Sequence, residues 1–336
     1  MRLGLDVGSS GVKLVGLSRR STGGWTLMHA AVEPLPAGAV VDGQVEQFDA
    51  VAQAVRQAVA RSGVRVRDVA LALPPAAVIR RTLRVPFGLG EAALEAQVAQ
   101  GAAGFLPFPL DDVCLDFSFI PGALADADGC MGVHLAAARR DRVLDRQALA
   151  EAAGLRAVCL DVESCAAYRV FAAQGAGQDT GQVSAWPADA LVGLFDLGAR
   201  TARLQVLRHH ESLYEGEQPL TRSENGDAPS TEGGSSAEAS GGVAAALAQD
   251  IAQAVQVFLH STAHRSLDRL VLAGGAAMLP GLAVAVAAQS GLPCSVLQPF
   301  EGMALGKGFE RGGVDPVRDA PRMAIACGLA LRDRAP

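Results

Sequence analysis

At 336 residues, half of them hydrophobic, the chain can bury one large core or two medium ones, and two lobes are the default expectation. A formal charge of -6 and only 4% aromatic residues give no basic field for tracking nucleic acid, whose binding rests on neutralising phosphates. The six cysteines form no C-x-x-C pair, which argues against zinc and against a stapled secreted framework, and neither a signal peptide nor an apolar stretch of roughly 18–20 residues is read.

Leu3 to Val7, Val12 to Leu17 and Trp25 to Val32 read as three short strands punctuated by Gly8-Ser9-Ser10-Gly11 and Ser21-Thr22-Gly23-Gly24. Phe48, Val51, Ala52, Val55 and Val59 recur at helical spacing, and Val69 to Leu73 is a buried strand closed by Pro74-Pro75. From residue 78 to 140 the order becomes strand, helix (Glu91 to Ala103), a Phe105-Leu106-Pro107-Phe108-Pro109-Leu110 segment and two more strands, which predicts an inserted α+β subdomain. A helix from Arg142 to Ala153, an apolar stretch from Ala157 to Leu160 and a helix from Glu163 to Ala173 return to the main frame.

After a polar joint at Gln174 to Ser184, Leu191 to Phe195, Thr201 to Leu207 and Glu211 to Glu217 repeat the opening meander. Thr221 to Gly242 holds no large apolar residue and reads as a mobile loop. Val243, Leu247, Ile251, Val255 and Phe258 then line a helix, Leu267 to Ala273 is a strand running into Gly274-Gly275, and Arg322 to Leu331 is a final helix.

The repeat is the informative feature. Asp6 aligns with Asp196, Gly8 with Gly198, Lys13 with Arg203, Leu14 with Leu204 and Leu17 with Leu207, so a whole domain is duplicated and its two tight turns face one cleft. Glycine lets backbone approach a phosphate, and the N–H groups of a tight turn form an anion nest. Ser9, Ser10, Gly11, Lys13 and Thr201 are read as facing phosphate, and Asp6 and Asp196 as holding Mg²⁺ through water. Gly274, Gly275 and Met278 form a third element, in which paired glycines admit a flat ring and aim a helix N-terminus at the ligand.

These three loops together resemble the actin, Hsp70, sugar kinase and FtsA superfamily, and within it the PilM family of type IV pilus assembly proteins. The more specific features are Ala72-Leu73-Pro74, Arg84-Val85-Pro86, the Phe105 to Leu110 segment followed by Val113 and Asp116-Phe117, and Gly154-Leu155 before Asp161-Val162-Glu163. The resemblance spans nearly the whole chain. It implies a duplicated two-lobe α/β fold of the actin-like, ribonuclease H-like kind with an inserted subdomain. Residues 1–77 and 141–176 would form the first lobe, 78–140 the insertion, and 185–336 the second lobe.

It also implies ATP with Mg²⁺ between the lobes. A further implication is a groove beside the insertion that takes the N-terminal cytoplasmic peptide of the inner-membrane protein PilN, with Phe105, Pro107, Phe108 and Asp116 as contact candidates. The protein is then expected to be cytoplasmic, tethered through its partner to the pilus alignment complex that serves twitching motility, with self-association left open. Glu163 stands where the superfamily places an acid or amide that orients water. The second loop departs from the family pattern, because Ala199, Arg200 and Ala202 surround a lone Thr201, so ATP binding is expected with at most weak hydrolysis.

Other readings on the same fold are an ATP-hydrolysing enzyme or small-molecule kinase, and the type II secretion actin-like component, which normally continues into a membrane helix. No compelling general base for a kinase is seen beyond the first lobe's core sheet. An FtsA-type filament protein would carry an amphipathic C-terminal helix, for which Arg332 to Pro336 is too short.

Overall fold

The structure is a computed structural model, and it describes residues 1–120, 128–175, 189–208, 211–220 and 236–332. The chain opens with β1 (Arg2–Val7), β2 (Gly11–Arg19) and β3 (Trp25–Pro34), then a small hairpin of β4 (Val40–Val41) and β5 (Gln44–Val45). Helix α1 (Phe48–Ser62) and β6 (Asp68–Leu73) follow. The next stretch holds β7 (Val78–Pro86), α2 (Glu91–Ala103), β8 (Val113–Phe119) and β9 (Cys130–Arg139). Then come α3 (Arg140–Ala152), β10 (Arg156–Val162) and α4 (Glu163–Gly175). The second half contains β11 (Leu191–Leu197), β12 (Thr201–Arg208), β13 (Glu211–Pro219), α5 (Ser236–Ser261) and β14 (Arg269–Ala273). It closes with α6 (Leu282–Ser290), β15 (Cys294–Val296), β16 (Ala304–Leu305) and α7 (Ala324–Leu331).

The two large sheets repeat one plan. The first runs β10-β6-β1-β2-β3-β16 and the second β13-β12-β11-β14-β15. In each, a strand pairs antiparallel with its successor and parallel with the strand that follows a helix: β1 with β2 and β6, β11 with β12 and β14. The match extends to single residues. Asp6 lies opposite Lys13 and Asp196 opposite Arg203. The amide of Gly8 donates to the Gly11 carbonyl at 3.1 Å, and that of Gly198 to the Thr201 carbonyl at 2.9 Å.

Why these segments take these forms is visible in their burial. In α1 the residues Val51, Ala52, Val55 and Ala58 recur on one face and bury it against the first sheet, and Gly63 ends the helix in the left-handed region at φ 65°. The central strand β6, Asp-Val-Ala-Leu-Ala-Leu, is covered on both faces, as a parallel strand between helical layers must be. The inner faces of both sheets share one core with α4 and α7, in which Leu17, Leu27, Phe171, Leu194, Val271 and Met323 meet. Helices α4 and α7 cross without side-chain clearance, since a Cβ on Gly328 would sit 1.8 Å from the Ala166 carbonyl oxygen.

Strands β7, β9 and β8 form a separate sheet covered by α2, with Leu94, Val98, Val133 and Leu135 in its core. It reaches the second lobe through an ion pair from Arg80 on β7 to Glu215 on β13.

Three readings need correction. The segment read as a loop from 221 to 242 is helical from Ser236, because α5 propagates N-terminally from the turns anchored by Ala244, Leu247 and Ile251; residues 221–235 lie outside the described residues, as does most of the joint at 174–184. Within α5, Gly241–Ser261 is long and apolar enough to cross a membrane by length and hydropathy, contrary to the reading of no such stretch, but Leu247, Ile251, Val255 and Phe258 are buried in the second lobe's core. Finally, Gly274-Gly275 leads into a single 3-10 turn, Ala276–Met278, and α6 starts only after Gly281, so the glycines do not aim a helix N-terminus directly.

Candidate functional site

Between the lobes lies a cavity of about 1400 Å³. Its floor is built by the two equivalent turns. From the first lobe Asp6, Gly8, Ser9, Ser10, Gly11 and Lys13 line it, and from the second Asp196, Gly198 and Thr201. Gly274, Gly275 and Met278 close it on a third side, and Glu163 at the first position of α4 reaches it from the connection between lobes. The helical residues Gly242, Val243 and Leu247 add a wall that the loop reading of 221–242 had hidden.

The glycines are required by close approach. A Cβ on Gly8 would come within 2.7 Å of the Lys13 ammonium, so its absence lets that ammonium reach Asp6 at 2.9 Å. Gly274 sits at φ 89°, and a Cβ there would fall 2.4 Å from the Leu197 carbonyl oxygen and 2.7 Å from the Asp196 carboxylate. The third loop is thereby pressed directly onto the second.

Charge is concentrated on the floor. Asp6, only 4% exposed, is paired with Lys13. Arg203 serves three acids: it is ion-paired with Glu163, its Nη1 lies 3.7 Å from Asp196, and its Nε donates to Glu217 at 3.2 Å. Four carboxylates thus meet two cations. Burial works against the Lys13 charge, but Asp6, Asp196 and Glu163 outweigh it and hold the ammonium above its ordinary pKa. Burial also pushes the Asp196 carboxyl up, against the pull of Arg203.

Glu163 is the most perturbed acid. Burial pushes its carboxyl from 4.5 up to about 7, with Asp6 and Asp196 adding to the rise and Arg203 opposing it. The folded protein then keeps a proton that the unfolded chain releases, so this group's contribution to stability falls as pH rises from 4.5 to about 7. The expected loss is about 1–3 kcal/mol between pH 5 and 8. Urea melts at the two pH values measure it. Glu163→Gln should flatten the slope, and an equal slope in both proteins would remove Glu163 as its origin.

Arg203 is the functional side chain that reading by residue type misses. The signal was available, because the repeat aligns it with Lys13. The partner candidates are not brought together. Phe105 packs into the core of the small sheet, Pro107 is exposed, and Asp116 points from β8 on the face opposite Phe117, where its carboxylate accepts the Phe117 amide at 2.9 Å. Phe108 alone of the four lines a groove of about 320 Å³ between the small sheet and the β4–β5 hairpin, where the Arg139 guanidinium lies 5.3 Å from its ring centroid.

A family model described as type IV pilus assembly protein PilM matches residues 4–225 and 242–334. The chain belongs to that family. The unmatched stretch between the two segments falls within the polar region that follows β13. Among solved structures, a PilM-PilN type IV pilus biogenesis complex is similar at 28% identity and a TM-score of 0.74, with 100% of this chain and 99% of that chain covered. The ethanolamine utilization protein EutJ from Carboxydothermus hydrogenoformans is similar at 15% identity and a TM-score of 0.52, covering 98% of this chain and 89% of that one, a likeness of fold alone. The fold of this PilM-family chain is the two-lobed, actin-like one.

Proposed function

We propose that this chain is an ATP-binding, actin-like scaffold of type IV pilus assembly that takes the N-terminal cytoplasmic peptide of PilN in the groove beside its inserted sheet. The observation that carries the nucleotide reading is the duplicated turn: two glycine-containing turns with the same hydrogen bond, each flanked by an aspartate and a cross-strand cation, face one interlobe cavity. Backbone N–H groups and Lys13 suit phosphate, and the space between Gly274-Gly275, Met278 and Leu247 suits a flat apolar ring. The units of this scaffold are a first lobe from 1–77 and 141–176, the insertion 78–140, and a second lobe that begins at 185 but does not run to 336 as the sequence suggested, because β16 pairs with β3 and α7 packs on β1 and β6, which returns the C-terminal segment to the first lobe.

Magnesium fits as an ion carried in by the phosphates. Asp6, Asp196, Glu163 and Glu217 cluster around Lys13 and Arg203, so a polyphosphate placed beside these acids would gain from a divalent counter-ion. Asp6 and Asp196 would hold it through water, since both already face a cationic side chain, and the ion would neutralise phosphate charge. Among the described residues no group of three or more acids, histidines or cysteines could hold a metal on its own.

Glu163 is the candidate to orient an attacking water, yet Arg203 engages its carboxylate and Thr201 is the lone hydroxyl residue of the second turn. Slow turnover is therefore expected. A coupled assay reaching about 10 s⁻¹, the usual enzyme median, would replace the scaffold reading with an enzymatic one. Calorimetric titration of the purified protein with MgATP tests the nucleotide site itself.

The PilN reading rests on family membership and on the complex to which this chain is similar. Such docking would tether the chain to the inner membrane. Phe108 contributes an exposed ring beside Arg139 in the groove. Phe108→Ala should weaken a synthetic PilN N-terminal peptide about tenfold, while Asp116→Arg, on the opposite face of the sheet, should change it less than twofold. The reverse order would move the docking site to the Asp116 face.

A further inference from the structure

The Asp42-Gly43 turn of the β4–β5 hairpin lines both the interlobe cavity and the groove beside the inserted sheet. It is a two-residue turn with φ 49° at Asp42 and 73° at Gly43, the sign pattern of a tight type I′ hairpin, and Asp42 is the only non-glycine residue at positive φ among those described. Each arm contributes only two paired residues, Val40 with Val45 and Val41 with Gln44. A two-stranded hairpin of that size is marginal unless its surroundings hold it.

Three contacts hold this one. Val40 is buried in the first lobe's core. Gly43 lies against Pro74, so closely that a Cβ would come within 2.4 Å of Cγ. Arg146 on α3, 2% exposed, donates from Nη2 to the Gly43 carbonyl at 2.8 Å and from Nε to the Ala72 carbonyl at 3.3 Å. A guanidinium is thus buried to fasten a turn to the end of β6. Burial opposes its charge, and Glu163 and Asp6 from the interlobe cavity, with Asp145, support it through space.

We infer that this turn is a shared wall whose ordering is required by both ligands, with Arg146 as the positioning residue that holds it, so that nucleotide and peptide bind with positive coupling. The inference rests on the reading above, in which one cavity takes ATP and the groove takes the PilN peptide. Its physical content is simple. If only the ordered turn binds either ligand, each ligand alone is weakened by the fraction of molecules in which the turn is ordered, and the second ligand finds it already ordered. Linkage makes the effect reciprocal.

The test uses the full chain, MgATP and a synthetic PilN N-terminal peptide, each titrated alone and with the other saturating. Arg146→Lys keeps the charge but cannot span both carbonyls. It should weaken each ligand alone about fivefold, and the second ligand at saturation should restore wild-type affinity. Gly43→Ala, which meets Pro74 and disfavours positive φ, should do the same if the lysine variant fails to fold. A merely structural role would weaken both ligands without restoration, and that result, or no weakening at all, would overturn the coupling. If the wild type binds no ATP or no peptide, the functional reading itself falls and the coupling goes with it, an outcome distinct from two ligands that bind independently.

Discussion

Gly328→Ala is expected to destabilise the protein by at least about 3 kcal/mol, the largest effect of any single methyl group proposed for this chain. The added Cβ would stand 1.8 Å from the Ala166 carbonyl oxygen, 2.5 Å from its carbon and 2.9 Å from its Cα. All three are backbone atoms of α4, so no rotamer change relieves the clash. Helix propensity pulls the other way, since alanine in a helix interior is favoured over glycine by about 1 kcal/mol. Packing wins because α7 is held on its other side as well: a Cβ on Gly4 of β1 would fall 2.0 Å from the Ala326 carbonyl oxygen.

Against a total stability of about 5–15 kcal/mol, such a loss would show in thermal or denaturant melts and in soluble yield. Gly101→Ala is the control, because its Cβ would meet only the end of the Leu83 side chain, at 3.2 Å, and no backbone atom. A melting temperature for Gly328→Ala within a few degrees of wild type would mean that α4 and α7 can move apart.

Lys13→Met should lower MgATP affinity about 100-fold. The substitution keeps most of the side-chain volume and removes the one ammonium on the first-lobe turn. Hydrogen bonds to charged groups contribute about 1.5–3 kcal/mol each, and about 1.4 kcal/mol is a factor of ten. Asp6 would also be left buried without its cation, adding a repulsive carboxylate or an uptake of protons. Calorimetry at pH 7 measures the change, with circular dichroism to show that the variant is folded. By contrast Ser9→Ala removes a single neutral hydroxyl and should cost less than about fivefold. If the two variants bind equally, phosphate does not sit over the first turn.

Much of the architecture was legible because duplication writes itself into sequence. The aspartate, glycine and cation recur at one fixed offset, and the two antiparallel pairs place them in the same register. The hairpin was missed although Val40-Val41-Asp42-Gly43-Gln44-Val45 carries the strongest short-range hairpin signal, an Asp-Gly between apolar residues. Its arms are too short to register as strands by alternation. Ser236 to Gly242 was misread because composition reports only what a segment could bury by itself, whereas this turn of helix is carried by the packed turns after it.

Side chains that act across the fold were least visible. Arg80 reaching Glu215, and Arg146 reaching Gly43, join residues that no local pattern links. Asp116 and Phe108 were grouped by the family resemblance, yet they sit on different faces, since successive strand residues alternate and the Phe105–Leu110 segment lies before β8 begins. Of the candidate contacts, only position along the chain was readable.

The near-identity of the two turns carries one more implication. The two turns repeat the same hydrogen bond and the same cross-strand pair of acid and cation, and a frame built from two like halves cannot by itself tell head from tail. The proposed ligand, ATP, has two different ends. Its polarity must therefore be dictated by the places where the halves have diverged: an ammonium bound to one acid on the first side, a guanidinium shared among three on the second, and paired serines facing Ala199-Arg200. The frame creates the cleft, and the broken symmetry chooses which way round it is filled.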